Sequence, residues 1–441
     1  MSSLEHGLTP KMKPVSPRRS AVVCALDIGT SKIACLIARL KPRVPQEPLR
    51  RRTHTVEILG IGHTRARGIK SGTVIDLGEA EEAVRHAVAA AERMAGVELD
   101  AVIVSISAGR LASELFHATV HVAGPTVNPS DIERVLAAGS RHSLRDGRVV
   151  LHSLPIGYAL DDARGIRDPR GMLGKRLGVD MHVVTADVAA LRNIMLTVEH
   201  CHLTVEAMVA SPYVAGLAVL ADDDADLGAA VIDIGAGTTT IAVFGGGHFV
   251  HTDAFAVGGH HVTMDLARGL NANIADVERL KTLHGSVLSG VSDDRDVIAV
   301  PAVGGDEREP PHMVSRVNLT GIIKPRAEEI LEMARDRLNA SPFAADPRGR
   351  VILTGGASQL TGIAELAARI LGRQVRIGRP LGIAGLPEAA KGPAFGAAVG
   401  LLIYPQAAYL EHFEPRRTRQ LMTTGTDGYF ARVGRWLKES F

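Results

Sequence analysis

Residues 230–247 have the composition of a phosphate-binding turn between two strands. Apolar strand formers lead to Asp233, a glycine-containing loop follows, and threonines open a second apolar run. This arrangement predicts a β-hairpin whose free backbone N–H groups and hydroxyl groups can bind an anion. The candidate phosphate ligands are Gly235, Gly237, Thr238 and Thr239. An ordinary glycine turn in a buried hairpin is the alternative, whereas a dinucleotide-binding turn is disfavoured because a strand stands where its helix should begin.

The same pattern occurs earlier in the chain, at residues 22–37. There Asp27 ends one apolar run, and glycine, hydroxyl and lysine residues lead into the next. The candidate phosphate ligands of this copy are Gly29, Thr30, Ser31 and Lys32. Two copies of one supersecondary unit predict two similar halves that face a shared nucleotide, with one hairpin on each side.

The charged residues of the two hairpins suggest separate roles. Asp27 and Asp233 are the candidates for holding Mg²⁺ through water and for a weak catalytic contribution, because this ion prefers carboxylate and water oxygens. Lys32 can reach the β- or γ-phosphate as a point charge. A solvated lysine at a strand end is the alternative interpretation.

A third segment, at residues 351–358, is an apolar strand that ends in two glycines before a predicted helix. Such a strand end allows a nucleoside or an α-phosphate to approach the backbone closely. The candidate residues are Gly355, Gly356 and Ser358.

Taken in order, the two hairpins, VILTGGAS at 351–358 and GPAFGAAVGL at 392–401 resemble four motifs of the actin–Hsp70–sugar-kinase superfamily. These are its phosphate-1, phosphate-2, adenosine and second connecting motifs. Within that superfamily the chain resembles the FtsA family, the bacterial cell-division homologues of actin. The resemblance implies an α/β, actin-like two-lobed ATPase fold of duplicated RNase H-like domains, with an inserted subdomain called 1C. It also implies ATP and Mg²⁺ as cofactors.

The resemblance assigns roles to residues outside the three glycine-rich segments. Glu278 and Lys281 lie three apart on one helix face, where members of the superfamily contact adenine and ribose; an exposed ion pair is the alternative. Ser211 stands where Hsp70-like relatives carry a glutamate that positions the attacking water. Because transfer to water requires an oriented nucleophile, we expect ATP to bind well and to be hydrolysed slowly, which makes the protein at most a weak ATPase.

Composition sets broader limits. A chain of 441 residues predicts two or more domains. With 46% apolar but only 3% aromatic residues, its cores must consist mainly of Ala, Val, Leu and Ile. The 50 basic and 48 acidic residues give no bulk preference for nucleic acid, which is not among the expected partners. Cys24, Cys35 and Cys201 lack metal-binding spacing and suggest a reduced cytosolic setting.

Domain boundaries follow from these patterns and from the resemblance. We expect a disordered basic tail and, after the lobes, a polar linker and a terminal helix. The run Arg50–Arg52 is expected in a solvated loop, with a nucleic-acid or lipid patch as the alternative. The expected ranges are 1–20 for the tail, 21–102, 184–222 and 370–405 for subdomain 1A, 103–183 for 1C, 223–258 and 341–369 for 2A, 259–340 for 2B, 406–428 for the linker and 429–441 for the helix.

The predicted terminal helix has one apolar, aromatic face with a basic rim. A helix of this kind lies in a bilayer interface and meets anionic lipid. Docking on the protein's own body is the alternative. The apolar face consists of Tyr429, Phe430, Val433, Trp436, Leu437 and Phe441, and the rim consists of Arg432, Arg435 and Lys438.

The resemblance implies a polymerising, ATP-binding membrane adaptor that tethers the tubulin homologue FtsZ to the cytoplasmic face of the inner membrane at the septum. The FtsZ C-terminal peptide would bind subdomain 2B, and downstream division proteins would bind 1C. An actin-like pilus-assembly ATPase and a small-molecule kinase of the same superfamily are the alternatives.

Overall fold

The two predicted hairpins are present, and each lies inside its own β-sheet. The computed structural model describes residues 9–46, 49–107, 109–141, 145–288, 290, 296–301 and 311–413. The chain opens with the strands of the first lobe. These elements are β1 (Ala21–Ile28), β2 (Lys32–Pro42), β3 (His54–Arg65), the short pair β4 (Ile69–Lys70) and β5 (Thr73–Val74), α1 (Leu77–Ala95) and β6 (Ala101–Ile106).

An inserted subdomain, which we call 1C, follows β6. Its antiparallel sheet has the strand order β7-β10-β8-β9, and α2 packs on this sheet. Asn128 caps α2 by accepting hydrogen bonds from the N–H groups of Ser130 and Asp131. The elements are β7 (Ala112–His121), α2 (Pro129–Gly139), β8 (Arg148–Leu160), β9 (Ala163–Ile166) and β10 (Arg176–Asp187).

The chain then completes most of the first lobe and builds the second. The elements that lead out of the first lobe are α3 (Val188–Glu199), β11 (Thr204–Ala210), α4 (Ser211–Val219) and α5 (Asp222–Leu227). The second lobe contains β12 (Ala229–Ile234), β13 (Thr239–Gly245), β14 (His248–Phe255), α6 (Gly259–Gly269), α7 (Ile274–His284), β15 (Val297–Val300), β16 (His312–Ser315), α8 (Arg316–Asn339), β17 (Arg350–Thr354), α9 (Ile363–Leu371) and β18 (Val375–Ile377). The chain returns to the first lobe with β19 (Ile383–Ala384) and α10 (Gly396–Ile403).

Strand order shows that the two lobes are copies of one unit. The first sheet runs β11-β6-β1-β2-β3-β19, and the second runs β14-β13-β12-β17-β18. In both, an antiparallel three-stranded meander is followed by two parallel strands added beside its first strand. The prediction of two similar halves is therefore confirmed.

Helices α4 and α10 pack together with almost no space between their backbones. A Cβ atom on Gly400 would lie 1.8 Å from the carbonyl oxygen of Val214, and one on Gly396 would lie 2.9 Å from Thr354 Oγ1. Gly400 therefore permits the close packing of α10 on α4, and Gly396 permits α10 to approach β17 of the second lobe. Gly392 lies before α10 and has no comparable contact, since the nearest atom to its Cβ position is 3.4 Å away.

Parts of both chain segments that were expected to be loose pack against the rest of the protein. The tail was expected to be disordered over residues 1–20, but Thr9, Lys11 and Met12 are buried. The expected flexible linker begins at residue 406, yet Gln406 is buried and the N–H group of His412 donates to Ser153 at 2.8 Å. Apolar and polar contacts with the first lobe and 1C account for both differences. The rest of the linker and the predicted helix at 429–441 lie outside the described residues.

Two predicted boundaries also differ from the structure. Subdomain 1C was expected from residue 103, but β6 pairs with β1 and β11, so the insertion begins after Ile106. The second part of 2A was expected to end at residue 369, whereas β18 extends the second-lobe sheet to Ile377 by pairing with β17.

The Arg50–Arg52 run is only partly solvated, since Arg50 and Arg51 are exposed but Arg52 is not. Arg52 is buried and donates to the carbonyl groups of Leu217, at 2.9 Å, and Leu381. Arg51 donates to the carbonyl of Gly247 in the second lobe at 2.9 Å. These arginines therefore join parts of the protein's own surface.

Candidate functional site

The turns of the two hairpins have the same internal hydrogen bond. Gly29 N–H donates to the carbonyl of Lys32 at 3.0 Å, and Gly235 N–H donates to the carbonyl of Thr238 at 2.9 Å. The duplication that relates the two sheets therefore extends to the geometry of the turns.

The two turns face each other across the cleft between the lobes. A Cβ atom on Gly237 would lie 2.5 Å from Thr30 Oγ1 and 3.0 Å from the Cα of Ser71. Thr30 Oγ1 in turn accepts a hydrogen bond from Gly72 N–H at 3.1 Å. Only glycine fits at position 237 without displacing Thr30 or Ser71, so the structure brings the two sequence-predicted turns together.

The predicted cation-binding carboxylates share the cleft with Lys32. Burial raises the pKa of Asp233 to about 7, and the neighbouring Asp27 adds to the shift while Lys32 opposes it. Burial also raises the pKa of Asp27, whereas a hydrogen bond donated by Ser105 Oγ at 2.5 Å acts in the opposite direction and lowers it. Two half-buried carboxylates that lie close together and repel each other favour binding of a hydrated divalent cation. Within the described ranges, no group of three metal-ligating side chains comes together.

Lys32 reaches into the cleft. Its Nζ atom donates to the carbonyl of Ala394 at 2.8 Å and lies 3.4 Å from the centroid of the Phe395 ring. Burial lowers the pKa of Lys32, and both aspartates oppose that shift. The ammonium group is therefore held near the carboxylates and is not a solvated lysine at a strand end.

Gly355 places the third predicted segment directly beside Asp233. Its φ of +86° favours glycine, and a Cβ atom there would lie 2.2 Å from Asp233 Oδ1. Its N–H group donates to the carbonyl of Pro393 at 3.1 Å. Gly356 has only Ala394 Cβ, at 4.0 Å, near its own Cβ position, so there is free space on that side of the residue.

The start of α6 closes the second hairpin turn. Gly259 N–H donates to the carbonyl of Gly235, and His260 N–H donates to the carbonyl of Ala236, both at 2.8 Å. A Cβ atom on Gly258 would lie 2.5 Å from the same Gly235 oxygen. The pair Gly258–Gly259 thus lets a helix N-terminus approach the turn.

Glu278 and Lys281 lie on α7 beside this junction. Lys281 Nζ is 2.7 Å from Glu278 Oε2, 2.8 Å from Thr263 Oγ1 and 3.0 Å from the carbonyl of Gly259. Burial opposes ionisation of Glu278, but Lys281 and Thr263 outweigh it, and the pKa of this carboxyl is lowered. The predicted pair exists, and it connects through Gly259 to the second turn.

Two of the sequence-predicted residues donate their hydroxyl groups to nearby carbonyl groups. Thr239 is buried and donates to the carbonyl of Val257 at 2.7 Å. Ser358 is buried and donates to the carbonyl of Gly355 at 2.8 Å. Nucleotide binding by Thr239 and Ser358 therefore stays a prediction. Ser211 is buried at the first residue of α4.

Sequence reasoning missed several residues of the cleft. Ser105 and Thr263 carry no local motif, and they are adjacent to the site only because of the strand and helix pairings. Phe395 lies within the GPAFG segment, so the sequence indicated that it lies near the cleft. Nothing in the sequence indicated its contact with Lys32. The β4–β5 turn, with Ser71 and Gly72, also meets the first hairpin.

The residues present fit a nucleoside phosphate with a hydrated cation. The two turns face each other, Gly355 lies directly beside Asp233, and Lys32 supplies a positive charge. Asp27 and Asp233 are available to water molecules around a cation, which would neutralise phosphate charge when bound. Asp27 and Lys32 come from the first hairpin and Asp233 comes from the second, so both lobes contribute to the site.

The fold and this cleft define an actin-like protein. A structure of a PilM–PilN type IV pilus biogenesis complex aligns with a TM-score of 0.59 at 16% identity, covering 87% of this chain and 98% of that one. A structure of MreB5 of Spiroplasma citri bound to ADP aligns with a TM-score of 0.50 at 14% identity, covering 89% and 98%. These similarities establish the actin-like ATPase fold.

Sequence comparison identifies the family. Residues 230–400 match the family model described as cell division protein FtsA, and residues 108–185 match the SHS2 domain inserted in FtsA. The chain is 55% identical to cell division protein FtsA of Agrobacterium fabrum (99% of this chain, 98% of that protein). It is 31% identical to that of Escherichia coli K12 (95% and 98%). The chain belongs to the FtsA family of cell-division proteins.

Proposed function

We propose that this protein binds ATP with Mg²⁺ in the cleft between the two hairpin turns. The observation that carries the proposal is the contact of Gly237 with Thr30, which places two anion-binding turns opposite each other. Lys32 would contact the β- or γ-phosphate, and Asp27 and Asp233 would hold the cation through water. Gly355 and Gly356 would lie against the nucleoside, and Glu278 and Lys281 against adenine and ribose.

Equilibrium binding tests this part of the proposal. Titration calorimetry with ATP, in the presence and absence of Mg²⁺, should show one site whose affinity depends on the cation. Saturating Mg-ATP should also raise the midpoint of thermal unfolding, because a ligand that binds only the folded state stabilises it. Failure of the purified chain to bind ATP under both conditions would refute the proposal.

The second part of the proposal is that the chain is a membrane adaptor. Residues 429–441 would form the amphipathic helix described above and would bind anionic lipid on the cytoplasmic face of the inner membrane. Among the described residues, none of the helices has the length and apolar character needed to span a membrane. A peripheral helix is therefore the anchor that the sequence offers.

Co-sedimentation with liposomes tests the anchor. The full chain should pellet with vesicles that contain anionic lipid and should remain in the supernatant with neutral vesicles. A chain ending at Asp427 should remain soluble with both, and Trp436→Glu should reproduce that loss in the full-length protein. Pelleting of the truncated chain would place the lipid-binding surface elsewhere.

As an FtsA family member, the protein is further proposed to tether FtsZ and to form filaments at the septum. The FtsZ C-terminal peptide would bind subdomain 2B, residues 259–340, and downstream division proteins would bind 1C. Adding FtsZ to the liposome assay tests the tether directly, since only full-length protein should carry FtsZ into the pellet. Nucleic acid has no place in this proposal.

A pilus-assembly role is the second candidate, and the aligned PilM–PilN structure is the observation in its favour. The 55% identity to an FtsA protein across nearly the whole chain favours cell division over it. A small-molecule kinase is weaker still, because it would have no use for an amphipathic terminal helix. Loss of lipid binding and of FtsZ binding together would reopen both alternatives.

A further inference from the structure

The short turn Pro393–Phe395 touches both lobes inside the cleft. The carbonyl of Pro393 accepts hydrogen bonds from Thr354 Oγ1 at 3.2 Å and from Gly355 N–H at 3.1 Å, both in the second lobe. The next carbonyl, that of Ala394, accepts from Lys32 Nζ of the first lobe at 2.8 Å. Successive residues of this turn therefore bind opposite sides of the cleft.

The Phe395 ring is the third contact of the turn. Lys32 Nζ lies 3.4 Å from the ring centroid, well inside the distance of about 6 Å over which a cation and an aromatic face attract each other. The ring itself is only 8% exposed and meets His63 edge-on at a centroid distance of 6.2 Å. It is thus a fixed surface against which a flexible side chain rests.

A lysine side chain binds an anion more tightly when a surface of this kind already orders it. Its four-carbon stem loses considerable rotamer freedom when it is immobilised. A side chain that is already ordered before the ligand arrives loses less conformational entropy on binding. Lys32 is also the positive charge that opposes Asp27 and Asp233 in the cleft, and these carboxylates would repel phosphate without it.

We propose that Phe395 is a positioning residue for nucleotide binding, because its ring holds the Lys32 ammonium in the cleft before the phosphates of a nucleoside triphosphate bind. The inference rests on the proposed binding of ATP. It assigns Phe395 an effect on phosphate affinity that a purely structural core residue would not have.

The first test compares phosphate-bearing and phosphate-free ligands. In Phe395→Leu the dissociation constant for Mg-ATP should rise about three- to tenfold, the range of a partly desolvated cation–π contact. Binding of adenosine should not change. Phe395→Tyr keeps an aromatic face and should restore ATP affinity to near the wild-type value.

A double-mutant cycle isolates the contact. Lys32→Met should weaken ATP binding by itself, and adding Phe395→Leu to it should have no further effect, because the two residues act through one interaction. A measurement without nucleotide supports the same point. Acylation of Lys32 by an amine-directed reagent, followed by peptide mass spectrometry, should be faster in Phe395→Leu than in the wild type.

Phe343→Leu is a matched control. Phe343 has the same kind of contact in the second lobe, with the Arg373 guanidinium carbon 4.3 Å from its ring centroid. Its removal should lower thermal stability but leave ATP affinity unchanged.

The possible results separate the two proposals. Wild-type protein that fails to bind ATP would overturn both of them. Wild-type protein that binds ATP, with Phe395→Leu equal to it or tighter, would overturn only the role of Phe395. An equal loss of adenosine and ATP affinity would also overturn that role, since it would indicate a general distortion of the cleft.

Discussion

The imidazole of His152 lies 2.8 Å from the carboxylate of Glu411, measured from Nδ1 to Oε1, and both side chains are fully buried. His152 Nε2 accepts a hydrogen bond from Ala210 N–H at 2.9 Å. The proton of a neutral ring must therefore be on Nδ1, from which it is donated to Glu411. Burial lowers the pKa of His152, which keeps the ring neutral.

Two further groups complete this buried cluster. The Tyr404 hydroxyl donates to Glu411 Oε1 at 2.8 Å, and Lys11 Nζ lies 3.4 Å from Glu411 Oε2. Burial disfavours the charged form of Glu411, but Lys11 and the hydrogen bonds outweigh it and lower the pKa of Glu411 to about 2. The cluster joins the segment before β1, strand β8 of 1C and the segment after α10.

Removing the Glu411 carboxylate alone should strongly destabilise the folded protein. In Glu411→Ala the Lys11 ammonium remains buried without its counter-charge, and breaking a buried pair in this way typically costs about 3–5 kcal/mol. The midpoint of thermal or urea unfolding should fall accordingly. The double variant Lys11→Met with Glu411→Leu should recover much of the loss, because it removes both charges together.

An exposed ion pair provides the contrast. Asp226 binds Arg50 at the surface with an N–O distance of 2.6 Å and also binds Arg51. Since solvent-exposed pairs contribute about 0–1 kcal/mol, Asp226→Asn should barely move the unfolding midpoint. An equal effect of Asp226→Asn and Glu411→Ala would contradict the importance of burial here.

The free energy of unfolding should fall in two stages as the pH is lowered. The folded pKa of His152 lies below its ordinary value of 6.5, so its stabilising contribution is present above that pH and is lost as the pH falls. The folded pKa of Glu411, about 2, lies below its ordinary value of 4.5, so its contribution is lost between these two values. His182, buried with a pKa of about 3, acts in the same direction as His152.

The test is to compare unfolding midpoints at pH 7.5 and 5.5 for the wild type and His152→Gln. The wild type should lose more stability than the variant over this interval, because the variant lacks the group that must be protonated. Asp233 has a raised pKa and contributes with the opposite sign, but this contribution cancels in the comparison. Identical losses would show that His152 does not titrate on unfolding.

Gly237→Ala should disrupt the cleft without unfolding either lobe. Its Cβ atom would lie 2.5 Å from Thr30 Oγ1, so the lobes must separate or a turn must move. We expect at least a tenfold loss of ATP affinity, since the turns must act on the same phosphates. Gly245→Ala is the control, because no atom lies within 4 Å of its Cβ position. Normal ATP binding by Gly237→Ala would show that the turns need not approach.

The packing of α4 on α10 gives a stability prediction of its own. Gly400→Ala places a methyl group 1.8 Å from the Val214 carbonyl oxygen, and such overpacking should cost about 1–3 kcal/mol. Gly321→Ala, in α8, meets no atom within 4 Å and should stabilise the protein by about 0.5–1 kcal/mol through helix propensity. Thermal unfolding of the two variants should therefore shift in opposite directions.

Local motifs predicted the two hairpins and that their turns face each other. They did not predict which residues of other elements contact the hairpins. Turn glycines and apolar runs act over a few residues, so Gly235 and Gly29 could be placed from sequence alone. Contacts such as Ser105 with Asp27, or Phe395 with Lys32, depend on which strands become neighbours, and no local pattern encodes them. The buried Lys11 was missed for the same reason, because a basic, proline-containing segment resembles a solvated tail until its partner Glu411 is known.

The path of the chain also sets an order of assembly during synthesis. The second-lobe sheet, from Ala229 to Ile377, is built from one continuous stretch and can close as soon as that stretch has left the ribosome. The first lobe starts earlier but must wait for α10, and Lys11 meets a partner 400 residues further along the chain. The lobe that is made first is therefore the last to be completed.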